Sequence, residues 1–474
     1  MMDLSLVVPE LVLTAFVFVV FTIDLFDTRK RALGYLSGLL LAALLVLTAV
    51  QTGGGELSGG LYLVDAYTHF FRLFFPATTL FVILFSVDYV AKRLRYAGEY
   101  YSLLLMATLG MVLMAGAGEL ITAYLSLELL NFCLYVLAAY AKFDVRSNEA
   151  GVKYIILSVV ASALLLLGIS YIYGMTGSTN FREIAVGLTQ QGWSQGALAG
   201  LVLITSGLAF KVAAVPFHMW TPDVYEGAPT PVTAFISVAA KAAGFVLLIR
   251  LFSQAFMPAI ESWGPLLQLL AALTMTVGNL MAIQQRNIRR LLAYSSIGQA
   301  GYLLMGAAVL SGFTANGMLL HLAGYTVTGL AAFLCVTVYQ NLTGAEDIDG
   351  YAGMAQRSPL LALGLTMALF SLAGLPLFAG FTTKFYLFTA VAAQGGLGLV
   401  ALAVVNSLVS LYYYLRVVRQ LYIAEPADAS RLPLPRIAAG ALVALMVLVV
   451  LVGVYPYPLE AIIEVAVRPL GLPG

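Results

Sequence analysis

Long apolar segments recur from one end of this chain to the other. A helix rising about 1.5 Å per residue needs roughly 18–20 apolar residues to cross a hydrocarbon core of about 30 Å. Fourteen segments approach or exceed this length, at residues 4–26, 33–50, 67–90, 100–117, 120–141, 150–173, 197–217, 231–255, 265–285, 291–311, 315–341, 358–394, 396–423 and 437–457. Membrane β-barrels show short alternating strands instead of solid apolar blocks. The sequence therefore predicts an all-α integral membrane protein of about fourteen transmembrane helices.

The composition excludes an ordinary soluble protein. Hydrophobic residues make up 61% of the chain and charged residues 10%, against about 45–50% and about 25% in soluble domains. The net charge of +1 gives no indication of a nucleic-acid partner. The first segment is too long for a signal peptide's apolar region and contains Pro9 and Glu10, so we expect it to remain as a span. Cys133 and Cys335 lie inside apolar runs, which favours small core residues over a disulfide.

The distribution of lysine and arginine predicts the orientation. Of the 24 basic residues, seventeen lie in connections that follow odd-numbered segments, whereas the opposite connections contain only Arg182 and Arg468. Basic loops face the cytoplasm, so both termini are expected on the outer side. Arg72 and Arg250 lie near the outer membrane edge, where we expect their side chains to snorkel into water. Glu10, Asp24, Asp65, Asp88 and Glu119 lie near membrane edges and are expected to be solvated helix ends.

Three lysines fall near the middle of their segments. Lys211, Lys241 and Lys384 would each cost at least about 2.5–3.5 kcal/mol at the bilayer centre. Glu128, inside the fifth segment, is the expected counter-ion of Lys211. In apolar surroundings a lysine can release its proton, whereas arginine stays charged. This pattern favours proton transfer, and the alternative is a buried ion pair that only locks helices together.

Two histidines lie in or near the same layer of the membrane as the three lysines, and each has two possible roles. His321 is a candidate proton relay between Lys241 and Lys384, or a core histidine with satisfied hydrogen bonds. His218 is a candidate for the inlet at the cytoplasmic end of segment seven, or an interfacial side chain. Scattered histidines do not make a metal site, and no nucleotide fingerprint or cysteine cluster is present. We therefore expect no metal and no cofactor on this chain, so any redox chemistry belongs to other subunits.

Proline and glycine interrupt two of the apolar segments. Residues 197–231 contain Pro216, Pro222 and Pro229, and residues 358–394 contain Gly374 and Pro376. Such breaks free backbone groups that need protein or water partners, so they mark cavities in membrane proteins. Weak similarity between helices four to eight (residues 100–255) and nine to thirteen (256–424) predicts two repeats. Because five helices is an odd number, these repeats would have inverted topology.

The sequence around these breaks resembles a known family. Residues 210–229 read FKVAAVPFHMWTPDVYEGAP, residues 349–354 read DGYAGM, residues 371–376 read SLAGLP and residues 384–388 read KFYLF. These motifs are similar to the antiporter-like membrane-arm subunits of respiratory complex I (NDH-1, NADH–quinone oxidoreductase), and especially to the subunit N branch. The resemblance extends over essentially the whole chain. Leu377, Phe378, Thr382 and Thr383 depart from the family's pattern, and His321 stands where subunit N often has tyrosine.

The resemblance implies a single membrane domain over residues 1–474. Helices one to three would occupy residues 1–99, helix fourteen with the C-terminus residues 425–474, and helices seven and twelve would be broken. It implies that Glu128 pairs with Lys211, that Lys241 connects them to Lys384, and that quinone reduction in other subunits drives protons outward. The location would be the bacterial inner membrane and the partners other membrane-arm subunits. A subunit of a multi-subunit cation/proton antiporter and a structural membrane scaffold are the alternatives.

Overall fold

The computed structural model describes residues 4–26, 29–51, 53–426 and 428–473. Helices account for most of this part of the chain. They are α1 (Val8–Phe26), α2 (Lys30–Val50), α3 (Ala66–Arg93), α4 (Ala97–Gly116), α5 (Leu120–Ala138), α6 (Val145–Thr176), α7 (Phe181–Gln191), α8 (Gln195–Val212), α9 (Trp220–Gly227), α10 (Thr230–Phe235), α11 (Lys241–Leu251), α12 (Ile260–Ile283), α13 (Ile288–Ala307), α14 (Gly312–Thr343), α15 (Met354–Arg357), α16 (Pro359–Ala373), α17 (Ala379–Ala393), α18 (Leu397–Tyr422), α19 (Arg436–Val454) and α20 (Tyr457–Val467). A short antiparallel hairpin, β1 (Gly55–Leu57) and β2 (Tyr62–Val64), joins α2 to α3.

Shorter helical turns adjoin several of these helices. Turns of 3-10 helix lie at Leu4–Val7, Met257–Ala259, Ile348–Tyr351 and Arg468–Leu470, and π-helical turns at Ile236–Ala240 and Phe252–Phe256 flank α11. The π turns keep the polypeptide continuously helical from α10 through α11.

The apolar helices are long enough for a multi-pass membrane protein. In the described ranges, eleven helical stretches are long and apolar enough to cross a bilayer. One of them, Thr230–Ile283, contains the predicted segment 231–255 and most of the segment 265–285, and α16 is a shorter apolar helix. The prediction of an all-α membrane protein is therefore confirmed, while the number of fourteen spans stays a prediction.

Both predicted helix breaks are present. Helix α8 ends at Val212, and Ala213 adopts a left-handed conformation with φ of 61°. Helix α16 ends at Ala373, followed by Gly374 with φ of 88°, and α17 does not begin until Ala379. A left-handed residue after the last turn is a common helix C-terminus. Each break therefore has a local cause and leaves backbone carbonyl groups available to partners outside the helix.

Two arginines and two glutamates differ from their predicted surroundings. Arg72 and Arg250 are 2% and 0% exposed, so the prediction that they snorkel into water is wrong. Arg72 forms an ion pair with Glu10 over 2.7 Å. Glu10 and Glu119 are 5% and 4% exposed, so these two are not solvated helix ends. Buried charges need partners, and the sequence did not show which distant residues supply them.

The other charged residues of this group also have polar or charged partners. Arg250 pairs with Asp65 over 2.6 Å and lies 5.2 Å from the centre of the Tyr67 ring. Glu119 caps α5 by accepting hydrogen bonds from the backbone amides of Ile121 and Thr122. Glu10 also accepts a 2.6 Å hydrogen bond from the Tyr62 hydroxyl. The Arg72–Glu10 and Arg250–Asp65 pairs therefore tie α1 and α11 to α3, whereas Glu119 caps its own helix.

Candidate functional site

The four predicted charged residues lie on four separate helices. Glu128 is on α5, Lys211 on α8, Lys241 on α11 and Lys384 on α17. The three lysines are 4%, 3% and 4% exposed, and Glu128 is half-buried. Within the described part of the chain, none of these lysines has a carboxylate oxygen within 4.0 Å. All three amines instead hydrogen-bond to neutral oxygen atoms.

Asn131 lies between Lys211 and Glu128. The Lys211 amine donates to the Asn131 side-chain oxygen over 2.7 Å, and the Asn131 amide donates to Glu128 over 3.2 Å. The Ser162 hydroxyl on α6 also donates to Glu128, over 2.6 Å. The expected Glu128–Lys211 contact is thus indirect. Residues three apart share a helix face, so the position of Asn131 after Glu128 was the signal that the sequence interpretation missed.

Lys241 begins α11 directly after a π-helical turn. Its amine donates a 2.8 Å hydrogen bond to the Ser296 hydroxyl on α13 and lies 5.9 Å from the centre of the Tyr225 ring. Turns of π helix are rare and occur frequently at functional sites. Three residues further along α11, a Cβ atom at Gly244 would lie 3.1 Å from Cγ of Lys211. Lys211 and Lys241 therefore sit at the same α8–α11 contact, although no hydrogen bond between described residues joins them.

Lys384 lies in the second turn of α17, and its side chain reaches back to the break between α16 and α17. Its amine donates to the backbone carbonyl of Leu372 over 2.7 Å and to the Ser407 hydroxyl over 3.1 Å. It also lies 5.0 Å from the centre of the Tyr302 ring. The last carbonyls of a helix lack partners within the helix and carry partial negative charge. The end of α16 consequently provides a neutral acceptor that suits an ammonium group.

A row of polar side chains on α13 extends from Lys241 to Lys384. Ser296 accepts from Lys241, Gln299 donates to the same Leu372 carbonyl over 3.2 Å, and the Tyr302 ring faces the Lys384 amine. Each step of three residues advances about 4.5 Å along the helix. Three polar residues at this spacing in an apolar helix are visible in the sequence, but their role depends on which lysines α13 faces. We call Ser296, Gln299 and Tyr302 the α13 polar row.

His321 lies close to this row without contacting either lysine. Its Nδ1 is 3.0 Å from the Thr383 hydroxyl, and its buried Nε2 has no hydrogen-bond partner in the described structure. Tyr325, one turn further along α14, lies 3.1 Å from the Ser237 hydroxyl in the π turn before Lys241. The α14 face therefore presents polar groups to both lysine environments, but a direct histidine–lysine contact is absent from the described residues.

His218 lies in the break between α8 and α9. It is half-buried, its neighbour Met219 is 72% exposed, and the buried His218 Nδ1 has no hydrogen-bond partner among the described atoms. His218 therefore lies close to the surface, near the end of α8. Cys133 and Cys335 are buried and unpaired. In the described ranges no group of three or more His, Cys, Asp or Glu residues is arranged to hold a metal.

Comparison with known proteins identifies the family. Residues 117–410 match the family model described as NADH:quinone oxidoreductase/Mrp antiporter, transmembrane region. The chain is 43% identical to NADH-quinone oxidoreductase subunit N of Moorella thermoacetica, over 91% of this chain and 90% of the relative.

Two solved structures have the same architecture. A chain of respiratory complex I from Thermus thermophilus with bound aureothin superposes with a TM-score of 0.81 at 32% identity, covering 96% of this chain and 98% of that one. A chain of an archaeal membrane-bound sulfane sulfur reductase gives a TM-score of 0.87 at 26% identity, with 98% and 97% coverage. With identity above 40% over nine-tenths of both chains, the protein belongs to the subunit N family of NADH–quinone oxidoreductases.

Proposed function

We propose that this chain is a proton-translocating membrane-arm subunit of an NADH–quinone oxidoreductase. Protons move from the cytoplasm outward by way of Glu128, Lys211, Lys241 and Lys384, and quinone reduction in other subunits drives the movement. The observation that carries the proposal is that, among the residues described, the three buried lysines have only neutral hydrogen-bond partners. A lysine in such surroundings can exchange its proton, because no adjacent carboxylate holds it in the protonated, charged form.

The buried arginines supply the contrast that supports this interpretation. Arg72 and Arg250 have carboxylate partners at 2.7 and 2.6 Å, as expected for permanent charges. In such an ion pair the arginine keeps its proton, and the pair joins two helices as a structural contact. The same chain therefore contains paired arginines and unpaired lysines at comparable burial, and this difference is expected if the lysines change protonation while the arginines do not.

The contacts suggest a route with two parts. The first begins near His218 and reaches Lys211, whose state Glu128 influences through the Asn131 amide, and continues to Lys241 across the α8–α11 contact. The second follows the α13 polar row to Lys384 at the broken helix, with His321 and Tyr325 alongside. Hydroxyl groups can pass protons together with water molecules, whereas an amide cannot easily do so. Asn131 is therefore assigned a coupling role, and Ser296 and Tyr302 a relay role.

The finer arrangement of the chain is part of the same proposal. It comprises fourteen transmembrane helices, inverted repeats over residues 100–255 and 256–424, and both termini on the outer face of a bacterial inner membrane. Other antiporter-like and small membrane-arm subunits are its partners. The chain itself carries no cofactor and no redox group, so electron transfer takes place elsewhere in the complex.

Proton pumping by the assembled complex in sealed vesicles tests the proposal. Lys211→Ala should abolish most of the pumping while the complex still assembles. Lys142→Ala is the matched control, because Lys142 is exposed and lies outside the route. Undiminished coupled pumping by an assembled Lys211→Ala complex would contradict the proposal.

A cation/proton antiporter subunit is the second candidate, because the matching family model covers both kinds of complex. Copurification separates the two. The proposed function requires flavin- and iron–sulfur-containing subunits to copurify with this chain, whereas the antiporter function requires ion-exchange activity without them. The scaffold alternative predicts that Glu128→Gln combined with Lys211→Met leaves transport intact.

A further inference from the structure

A large groove lies where several helices end on the same side of the molecule. Its volume is about 1010 Å³, and its walls come from the start of α2, the end of α3, the end of α14 and the segment that leads into α19. These helices pack against one another through α3. The loops on this side are the basic ones, so the groove lies at the membrane edge that we assign to the cytoplasmic face.

The lining of the groove is strongly basic. Its lining includes Arg29, Lys30, Arg31, Lys92 and Asp88, and the three basic residues Lys30, Arg31 and Lys92 outnumber the Asp88 carboxylate by two charges. Arg31 lies 3.0 Å from Asp88, and its side chain is 67% exposed. One carboxylate cannot neutralise the three charges of Lys30, Arg31 and Lys92.

Two of the basic side chains have partners that leave their charge intact. The Lys92 amine donates to the backbone carbonyl of Asn341 over 2.8 Å, and the Lys30 amine donates to the carbonyl of Leu94 over 2.6 Å. Carbonyl groups position these amines without compensating their charge. The contacts to α14 and to the residue that follows α3 therefore fix the positions of the two amines, and both amines keep their positive charge.

The walls of the same groove are apolar. Tyr35, Leu342 and Leu434 line it together with proline residues of the segment before α19. Tyr35 is 43% exposed, and Leu39, one turn further into the bilayer on the same face of α2, is 67% exposed. Aromatic residues at this depth are typical of the membrane interface. A basic rim above an exposed apolar helix face matches a molecule with an anionic head and hydrocarbon chains.

We propose that this groove binds an anionic phospholipid of the facing leaflet. Its phosphate lies among Arg31, Lys92 and their basic neighbours, and its acyl chains follow Tyr35 and Leu39 along α2. Basic pockets between membrane helices on the cytoplasmic side are suited to such head groups. A soluble polyanion would satisfy the charges but would leave the apolar walls unused. The bound lipid bridges α2 and α3 to the segment before α19, and the site is independent of the proton route.

Lipid retention by the purified complex tests the proposal. Delipidated complex is exposed to vesicles of phosphatidylglycerol and phosphatidylcholine, washed, and analysed for bound lipid. The double variant Arg31→Gln/Lys92→Gln should retain roughly 25-fold less phosphatidylglycerol at limiting lipid, since each basic residue near anionic lipid contributes about 1 kcal/mol and about 1.4 kcal/mol is tenfold. Phosphatidylcholine retention should not change.

Two controls keep the result interpretable. The charge-preserving variant Arg31→Lys/Lys92→Arg should retain the lipid, and Arg182→Gln, an exposed arginine paired with Glu56 elsewhere, should have no effect. Unchanged phosphatidylglycerol retention by Arg31→Gln/Lys92→Gln overturns the proposal. So does loss of a neighbouring subunit with lipid retention unchanged, because the groove would then hold an acidic protein segment.

A second measurement does not depend on the variant assembling. A phosphatidylglycerol with a photoreactive acyl chain, added to the unmodified complex, should label α2 near Tyr35 or Leu39, or the segment before α19. Excess phosphatidylglycerol should suppress this labelling and phosphatidylcholine should not. Labelling of this chain only at other helices would overturn the proposal.

Discussion

The side-chain amine of Lys384 donates a 2.7 Å hydrogen bond to the backbone carbonyl of Leu372, in the last turn of α16. Gly374 ends that helix two residues later with a φ of 88°. The break therefore exposes an acceptor that an intact helix would use internally, and the lysine takes it. This carbonyl stabilises the ammonium form of Lys384 but does not lock the lysine in that form as a carboxylate would. The broken helix and the buried lysine therefore act together.

The chemical identity of the group at position 384 should decide translocation. Lys384→Gln cannot carry the proton, and Lys384→Arg cannot release it. Both are expected to assemble and to slow proton transfer by on the order of 10²-fold, the effect of losing a positioned proton-transfer group. Proton pumping in vesicles, normalised to quinone reduction, measures this. Ser407→Ala removes the 3.1 Å bond from Lys384 and the 3.0 Å bond from Ser407 to the Ala373 carbonyl, but it keeps the lysine and its bond to Leu372. It serves as the control and should have a small effect. Full pumping by Lys384→Arg would show that proton release is unnecessary.

Asn131 should control how firmly Lys211 holds its proton. Asn131→Asp would place a carboxylate where the amide oxygen lies 2.7 Å from the lysine amine. Attraction between unit charges is about 4 kcal/mol at 4 Å with an effective dielectric constant of about 20, enough to slow proton release about 10³-fold. Initial rates of pumping should fall more for Asn131→Asp than for Asn131→Ala, which removes the bridge without adding charge. Equal rates for the two variants would contradict this role.

The arginines, in contrast, should be structural. Arg72→Ala leaves Glu10 buried without its partner, which is expected to destabilise the protein by about 3–5 kcal/mol. The thermal unfolding midpoint and the yield of assembled complex measure the loss. Glu10→Gln/Arg72→Gln removes both charges and should be less damaging than Arg72→Ala. If Arg72→Ala were as stable as the unmodified chain, the buried ion pair would have no structural role.

The close approach of α17 to α16 should depend on a glycine. A Cβ atom at Gly380 would collide with the Ser371 carbonyl, whereas at Gly398 it would meet nothing within 4 Å. Gly380→Ala is expected to displace α17 and to separate Lys384 from Leu372, because neither backbone can yield without moving a helix. Assembly and pumping should fall for Gly380→Ala and stay normal for the control Gly398→Ala. Normal pumping by both variants would show that the close packing of Gly380 against Ser371 is not needed for proton translocation.

Much of the architecture could be predicted from the chain alone. Apolar run length predicts membrane helices directly, and the proline and glycine residues after Lys211 and before Lys384 predict both breaks, because these effects act within a few residues. The buried lysines were also recognisable, since a charge inside an apolar run is conspicuous whatever surrounds it. The three-residue spacing of Glu128 and Asn131 also indicates that they share a helix face, but this is missed when each charged residue is considered alone.

The sequence by itself determined the helices, their interruptions and the positions along them where charges enter the membrane interior. Only the tertiary structure decided which charges have partners. Arg72 meets Glu10 from a helix 62 residues away, whereas Lys384 meets a backbone carbonyl. Helix formation and membrane burial depend on local composition, but ion pairing depends on which helix faces meet. That choice is made by packing among residues far apart in the chain, and local sequence patterns do not contain it.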